Sequence, residues 1–299
     1  MRPADIIRLL LLALCWSSAF IFMRVAVPYL GPITLALTRT LVGGAFLALW
    51  LHHSGQALAW RAHWRFYAVI GLTTSALPFC LHAYAAQFLP ASFSVLINAT
   101  SPFFAALFVW LLVGERLGAR ALAGMAIGVA GVAFLTRSER LVPSSVELLA
   151  VASALGACAS YGLAGALVRR ARNSASPYAI ATGSQLTATL MLLTVQPLSL
   201  PVAMPTPVAA LCALLIGLIG SGFSYVLYFR LVSDIGPTRA LTVTFIMPAF
   251  GMLGGALLLG EVIDARMVFG AAMIVVGTAL VLMRPAGGAA QKTPPSGRP

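Results

Sequence analysis

Residues 102–131 read PFFAALFVWLLVGERLGARALAGMAIGVAG, and residues 248–277 read PAFGMLGGALLLGEVIDARMVFGAAMIVVG. Eight positions match without a gap, each 146 residues apart (248 − 102): Pro102/Pro248, Phe104/Phe250, Gly114/Gly260, Glu115/Glu261, Ala119/Ala265, Arg120/Arg266, Gly124/Gly270 and Gly131/Gly277. Several are Gly, Pro or charged, which chance rarely repeats in an apolar sequence. The offset is close to half of the 299 residues. The chain is therefore read as a duplication, and that reading precedes any choice of fold.

The match extends beyond this stretch. Gly71, Leu72, Ser75 and Leu81 fall on Gly217, Leu218, Ser221 and Leu227 at the same offset. Earlier residues match at 145: Trp16 on Tyr161, Arg24 on Arg169 and Pro32 on Pro177.

Composition decides the environment. The chain is 60% hydrophobic and 9% charged, against about 25% charged in an ordinary soluble domain. Mean hydropathy is +0.96. A water-soluble globule has no interior large enough for that much apolar surface, so the lipid bilayer is the expected partner. The net charge of +12 is spread one to three basic residues per loop. That is a pattern of membrane orientation, not a phosphate-binding patch, and no nucleic-acid partner is expected. Cys15, Cys80, Cys158 and Cys212 lie in apolar runs without metal-ligand spacing and read as small core residues. The apolar run from Ile6 to Val27 is too long for a signal-peptide core and reads as a membrane helix.

Ten apolar segments have spanning length: 5–27, 32–51, 66–86, 91–113, 119–136, 146–168, 177–198, 207–229, 237–259 and 266–283. The fold class is thus an all-α polytopic membrane protein. Residues 1–140 form a first five-helix repeat, 141–284 a second, and 285–299 a disordered, Gly/Pro-rich cytoplasmic tail. Five is odd, so the second repeat enters the membrane from the opposite side and the repeats are inverted. With the N-terminus in the cytoplasm, fourteen basic residues fall on the cytoplasmic side. Four (Arg24, Arg137, Arg140 and Arg266) fall opposite. This bias places both termini in the cytoplasm.

Trp16-Ser17-Ser18 in the first span, Arg39 in the second, and Pro-x-Phe followed by Gly-Glu in the fourth and ninth resemble the EamA branch of the drug/metabolite transporter superfamily. The resemblance covers almost the whole chain except the tail. It implies a ten-helix secondary transporter of a bacterial inner membrane, commonly exporting amino acids, aromatic or other neutral ones among them, or similar small metabolites. An exporter of drugs or nucleoside-type metabolites, proton-coupled or not, is the alternative within that fold. In some members the fifth and tenth helices form a dimer contact, so monomer and homodimer both stay open. The sixth helix departs from the family, with Ala159-Ser160-Tyr161 where a Trp is common.

The chemistry must come from few residues. No Gly-x4-Gly-Lys-Ser/Thr loop is present, so ATP does not drive this chain directly, and no cofactor or metal is expected. Paired buried carboxylates, a His/Cys metal cluster and a Ser-His pair on one face are all missing from the pattern, which argues against an enzyme. All seven carboxylates (Asp5, Glu115, Glu139, Glu147, Asp234, Glu261 and Asp264) lie in loops or within a turn of a span end. Coupled carriers usually keep one at mid-membrane, so transport driven by the substrate's own gradient is the expectation.

Arg39 lies seven residues past Pro32, about 10 Å deep at ~1.5 Å per residue. It reads either as a site for a substrate carboxylate or as a residue binding helix-end carbonyls. Ser75, Pro78 and His82 share one face at i, i+3 and i+7. Ser221, Ser224 and Tyr228 are their counterparts, with Tyr84 and Tyr225 nearby. These two faces line a cavity or simply join helices. Asn98 and Ser101 precede Pro102, and Thr244 precedes Pro248. A proline frees a carbonyl one turn earlier, which would serve an ammonium group or mark a packing kink. Trp16, Phe20 and Met23 form a stripe beside Ser17, with Trp16 near mid-span.

The candidate substrate residues are thus Trp16, Ser17, Arg39, Ser75, Pro78, His82, Asn98, Ser101, Tyr161, Ser224, Tyr225, Tyr228 and Thr244. Glu115/Arg120 and Glu261/Arg266 are expected to order their turns as exposed ion pairs. Gly124, Gly128 and Gly131, with Gly251, Gly254 and Gly255, are expected at close helix contacts. Trp50, Trp60 and Trp64 read as interfacial anchors, and His52, His53 and His63 as solvated loop histidines.

Overall fold

A computed structural model of the chain describes residues 2–136, 144–171, 174–198 and 201–283. The expected tail and residues 137–143 of the sixth-span approach lie outside these. Among the described residues every regular element is helical. Eight helices are long and apolar enough to cross a membrane, and Val243–Leu259 is a shorter apolar one. The first of the eight, Pro3–His53, is two spans. Gly31 interrupts it at φ 70, ψ 167, a conformation open to Gly and closed to most L residues. Pro32 follows, and its ring excludes the helical conformation from the residue before it.

The crossing segments are α1 (residues 3–30), α2 (residues 32–53), α3 (Trp60–Phe88), α4 (Ala91–Val113), α5 (Ala119–Thr136), α6 (Ser145–Ala171), α7 (Pro177–Val195), α8 (Pro207–Ile235), α9 (Val243–Leu259) and α10 (Ala265–Leu282). The short helix Pro237–Ala240 precedes α9. Helix α3 begins six residues before the span expected at 66, so Trp60 and Trp64 lie in its first two turns, and so does His63. His52 and His53 end α2 instead of lying in a loop.

The duplication is visible in the packing. Helix α4 packs on α6, as α9 packs on α1; α3 packs on α7, as α8 packs on α2. Helices α5 and α10 pack on each other. Two glycine contacts fix the register. A Cβ on Gly71 would strike the Ser184 carbonyl, and a Cβ on Gly217 would crowd the Arg39 carbonyl. The two glycines are 146 residues apart (217 − 71), and Ser184 and Arg39 are 145 apart (184 − 39). These are the two offsets of the sequence match.

The motif glycines Gly114 and Gly260 stand at φ 83 and 67 and end α4 and α9 as left-handed caps. Gly124 and Gly277 bring α5 and α10 together so closely that a Cβ on either would meet the other's carbonyl. The small residues of these helices thus serve a contact within one chain. Gly251, Gly254 and Gly255 of α9 face Val95, Ile21 and Ser92, which seats α9 between α1 and α4.

Helices α3 and α8 share a feature absent from the sequence reading. Each contains one turn of π-helix, Leu72–Ala76 and Leu218–Phe223, starting 146 residues apart (218 − 72). In each the hydrogen bond reaches back five positions: Leu77 N–H to the Leu72 carbonyl, and Ser224 N–H to the Ile219 carbonyl. A π-turn leaves a backbone carbonyl without its usual partner. Another helix supplies a donor in both cases. Ser160 Oγ of α6 donates to the Thr73 carbonyl at 2.8 Å, and Arg39 Nη2 of α2 donates to the Gly220 carbonyl at 3.4 Å.

Candidate substrate site between the two halves

The π-turns place polar side chains of α3 and α8 where the two halves meet. Arg39 is the centre. It is buried, and its Nε donates to Ser221 Oγ at 2.9 Å. Its guanidinium carbon stands 3.7 Å from the centroid of the Phe79 ring, a cation–π contact. Ser221 and Gly220 are neutral acceptors, and no carboxylate among the described residues pairs with Arg39. A guanidinium has five N–H donors, and these two bonds use only two of them. A buried charge without a counter-charge is unfavourable unless something compensates it. The site is therefore positive and short of acceptors.

His82 stands beside this cation. Its ring stacks on Tyr161 at 5.9 Å and meets the edge of Phe20 at 5.4 Å. Tyr161 of α6 and Tyr225 of α8 lie within electrostatic range of the Arg39 guanidinium, and Asn98 of α4 lies close to His82. Both ring nitrogens of His82 are buried and make no full hydrogen bond, with the Asn98 side chain as the polar neighbour. Ser224 Oγ and both amide atoms of Gln185 are likewise buried without a full hydrogen bond, Gln185 lying beside the Tyr225 side chain. Buried polar groups are normally satisfied, so the incompletely bonded His82 beside Arg39, and Gln185 beside Tyr225, mark a candidate place for a polar ligand. Trp16 forms the aromatic side, its ring 5.5 Å from Tyr228, which packs on Phe229.

Of the residues singled out from sequence, Arg39, His82, Tyr161 and Tyr225 come together, with Asn98 at their edge. Trp16 and Tyr228 meet each other and connect to the rest through Phe20. Ser75 and Pro78 are buried on α3, and Ser75 Oγ lies 3.2 Å from Thr74 Oγ1. Three hydroxyls are already engaged with backbone. Ser17 donates to the Met247 carbonyl at 2.9 Å and holds α1 to α9. Ser101 donates to the Asn98 carbonyl at 2.7 Å and Thr244 to the Leu241 carbonyl at 2.8 Å.

The free carbonyls expected beside Pro102 are thus occupied. The Ile97 carbonyl takes Thr100 Oγ1, and the Ala99 carbonyl takes Thr278 of α10. Helix α4 breaks at residues 99–100, whereas α9 runs on through Pro248. Tyr84 turns away to pair with Phe88.

Gln185 was missed. It lies in the middle of apolar α7, one residue past Ser184, the position that matches Arg39 at the 145-residue offset. A polar amide at mid-span, scanned against its repeat partner, was the available signal. Also missed was the ring of Phe79 beneath the guanidinium, which has no signature in sequence.

The turns after α4 and α9 require a correction. Glu115 pairs with Arg169 of α6, not with Arg120. Arg120 Nη2 instead approaches Met283 Sδ at 3.0 Å. Among the described residues Glu261 pairs with no arginine. It accepts the backbone N–H of Ala91 at 2.6 Å and of Ser92 at 2.9 Å, and the Ser92 hydroxyl as well. A carboxylate at a helix start satisfies N–H groups that the helix leaves open, and this outcompetes an exposed ion pair. Among the described residues no group of three or more His, Cys, Asp or Glu side chains is arranged to hold a metal ion.

Comparison with known proteins agrees with the architecture. The model of the EamA-like transporter family matches residues 5–137 and again 148–283. The uncharacterized transporter YvbV of Bacillus subtilis is 24% identical over 273 residues, 90% of this chain and 88% of that protein. A probable terminal-alkyne amino-acid exporter of Streptantibioticus cattleyicolor is 24% identical over 97% of both chains. A protein crystal structure superposes with a TM-score of 0.65 at 20% identity, over 94% of this chain and 96% of that one, which shows a shared fold.

Proposed function

The chain belongs to the EamA-like transporter family, and from that premise we propose that it exports amino acids or similar small carboxylate-bearing metabolites, by alternating access between its two halves. It is a multi-pass membrane transporter. The observation that carries the finer reading is Arg39: a buried cation with unused donors and only neutral acceptors around it. A substrate carboxylate supplies the missing acceptor and charge. The incompletely bonded groups of His82, Gln185 and Ser224 then meet the substrate's remaining polar atoms, and Trp16, Tyr161 and Tyr228 cover an apolar or aromatic side chain. The full-length resemblance to a protein named as an amino-acid exporter supports the same class.

The proposed orientation has both termini in the cytoplasm of a bacterial cell, with the protein in the inner membrane. No carboxylate among the described residues faces the site, so the substrate's own gradient is the proposed drive. The direct test is counterflow in proteoliposomes preloaded with unlabelled compound, screening labelled amino acids against nucleosides. Exchange of amino acids, lost with their carboxyl-amidated analogues, is the expected result. Exchange of nucleosides alone would replace this reading with the drug- or nucleoside-type one.

A further inference from the structure

The two Gly-Glu turns are copies of one motif, yet their carboxylates do different things. Glu261, just past the end of α9, binds the first turn of α4 through two backbone N–H groups and the Ser92 hydroxyl. Helices α4 and α9 meet at that end: the α4 limb Ala91–Asn98 packs on α9, with Val95 buried against Gly251. The other limb of α4, Ser101–Val113, packs on α6 and α10. Glu115, just past its end, is turned to Arg169 of α6, and both side chains of that pair are about half exposed, at 52% each.

Arg24 and Arg169, matched at the 145-residue offset, differ in the same way. Arg24 Nη1 donates to the Ala86 and Gln87 carbonyls at 2.6 and 2.8 Å, beside the bond that Glu261 makes to Ala91. Arg169 instead takes Glu115. One end of the molecule is thus tied across α4 and α9. At the other end the matching pair is engaged with itself. In the sequence, the residues matching Ala91 and Ser92 are Pro237, which has no N–H, and Thr238.

We infer that Glu261 and Glu115 are the paired latches of the transport cycle. Glu261 on α4 closes the end proposed as periplasmic, and Glu115 on the first turn before α9 closes the opposite end once Glu261 has let go. Inverted repeats exchange conformations during alternating access, so a glutamate bound to the facing helix start in one copy is expected in the other copy in the next state, without the bond that Pro237 cannot donate. An exposed ion pair is weak, which leaves Glu115 free to exchange partners.

The inference rests on the alternating-access reading, and its test needs no substrate, so it fails or stands separately from the counterflow assay. The probe is Val95→Cys in a chain whose four native cysteines are replaced. It is labelled in intact cells by a membrane-impermeant maleimide. Val95 is sealed while Glu261 holds α4. Loss of a helix cap shifts such an equilibrium by about fivefold. Glu261→Ala is therefore expected to raise the labelling rate about fivefold, and Glu115→Ala to lower it, because the state with Val95 exposed loses its own latch. Ser92→Ala, which removes one hydroxyl from an otherwise unchanged fold, raises the rate by a smaller factor and serves if Glu261→Ala fails to express. A merely structural glutamate would give no opposite pair of responses. An unchanged rate in either glutamate variant, or a change of the same sign in both, overturns the exchange.

Discussion

Helices α2 and α7 hold equivalent places in the two halves and carry opposite kinds of residue. In both, a backbone carbonyl (of Arg39 or of Ser184) lies under a glycine of the facing π-turned helix. Above that shared contact, α2 presents a guanidinium, whereas α7 presents Ser184 and then the buried neutral amide of Gln185, beside Tyr225. Ser184 Oγ donates to its own helix at the Ala181 carbonyl, 2.9 Å away. Duplication thus preserves the contacts that determine how helices approach and leaves the side chains free to diverge. The architecture is symmetric and the site is not. The proposed amino-acid substrate fits that arrangement, since its carboxylate is offered to one half only.

The largest expected effect comes from removing what α2 has and α7 lacks. A hydrogen-bonded charged group contributes about 1.5–3 kcal/mol, so Arg39→Ala should raise the half-saturating concentration of a carboxylate substrate roughly ten- to hundredfold. Arg39→Lys should recover only part, because an ammonium cannot reach Ser221 and a carboxylate with the same fork. Counterflow with titrated substrate measures both. If Arg39→Ala exchanges normally, the guanidinium serves only Ser221, the Gly220 carbonyl and the Phe79 ring, and the comparison with α7 carries no information about the substrate.

Next come the glycines under the shared contact. Gly71→Ala and Gly217→Ala each force a Cβ into backbone or a neighbouring side chain, and overpacking of this kind costs about 1–3 kcal/mol. Thermal unfolding of the detergent-purified protein should show two similar losses. A loss at one glycine only would mean that the two π-turned helices are not packed equivalently.

Much of this was legible in the sequence, and the limit has a physical basis. Pro, Gly and Glu at fixed spacing revealed the duplication, because those residues act through backbone geometry and repeat wherever the backbone repeats. Ten apolar runs anticipated the crossing segments, including the two that Gly31 separates within residues 3–53. The π-turns were hidden because a one-residue shift in hydrogen bonding leaves hydropathy unchanged. The partners of Glu115 and Glu261 were hidden for another reason. A carboxylate near an arginine in sequence is easily read as an ion pair, whereas its actual choice depends on which helix start happens to lie beside it. Asn98 and Ser101 looked available because the sequence shows the proline and not the neighbouring hydroxyls that occupy the carbonyls.

Aromatic cover is a smaller term than the charge. Trp16→Ala and Tyr228→Ala remove the two rings that meet at 5.5 Å. An aromatic pair contributes about 0.5–1.5 kcal/mol beyond its buried area. Each variant should therefore weaken apparent affinity by several-fold for aromatic amino acids and by less for alanine or serine, at near-normal protein levels. Equal losses for all substrates would assign the pair to packing between α1 and α8 instead of to the side-chain pocket.

The smallest effect concerns protons. Among the described residues the acidic side chains stand at helix ends: Asp5 near Arg8, Asp234 with Arg8 and Arg230, Glu115 with Arg169, Glu147 in the first turn of α6, Glu261 on α4 and Asp264 on the first turn of α10. The site itself offers Arg39, Tyr161, Tyr225 and His82, and of these only histidine ordinarily titrates between pH 5 and 8. If His82 is a hydrogen-bonding group for substrate, His82→Gln keeps a donor and an acceptor in nearly the same place, and exchange should fall by no more than about threefold, within what one neutral hydrogen bond contributes. Purified protein in liposomes at equal pH should then equilibrate labelled substrate at the same rate with or without a proton ionophore. Both protein versions should show the same flat dependence between pH 6 and 8. Accumulation above equilibrium under an imposed pH gradient, abolished by the ionophore and by His82→Gln, would make His82 a coupling residue. It would also mean that the half carrying Arg39 holds the proton site as well, which sharpens the contrast with α7 instead of removing it.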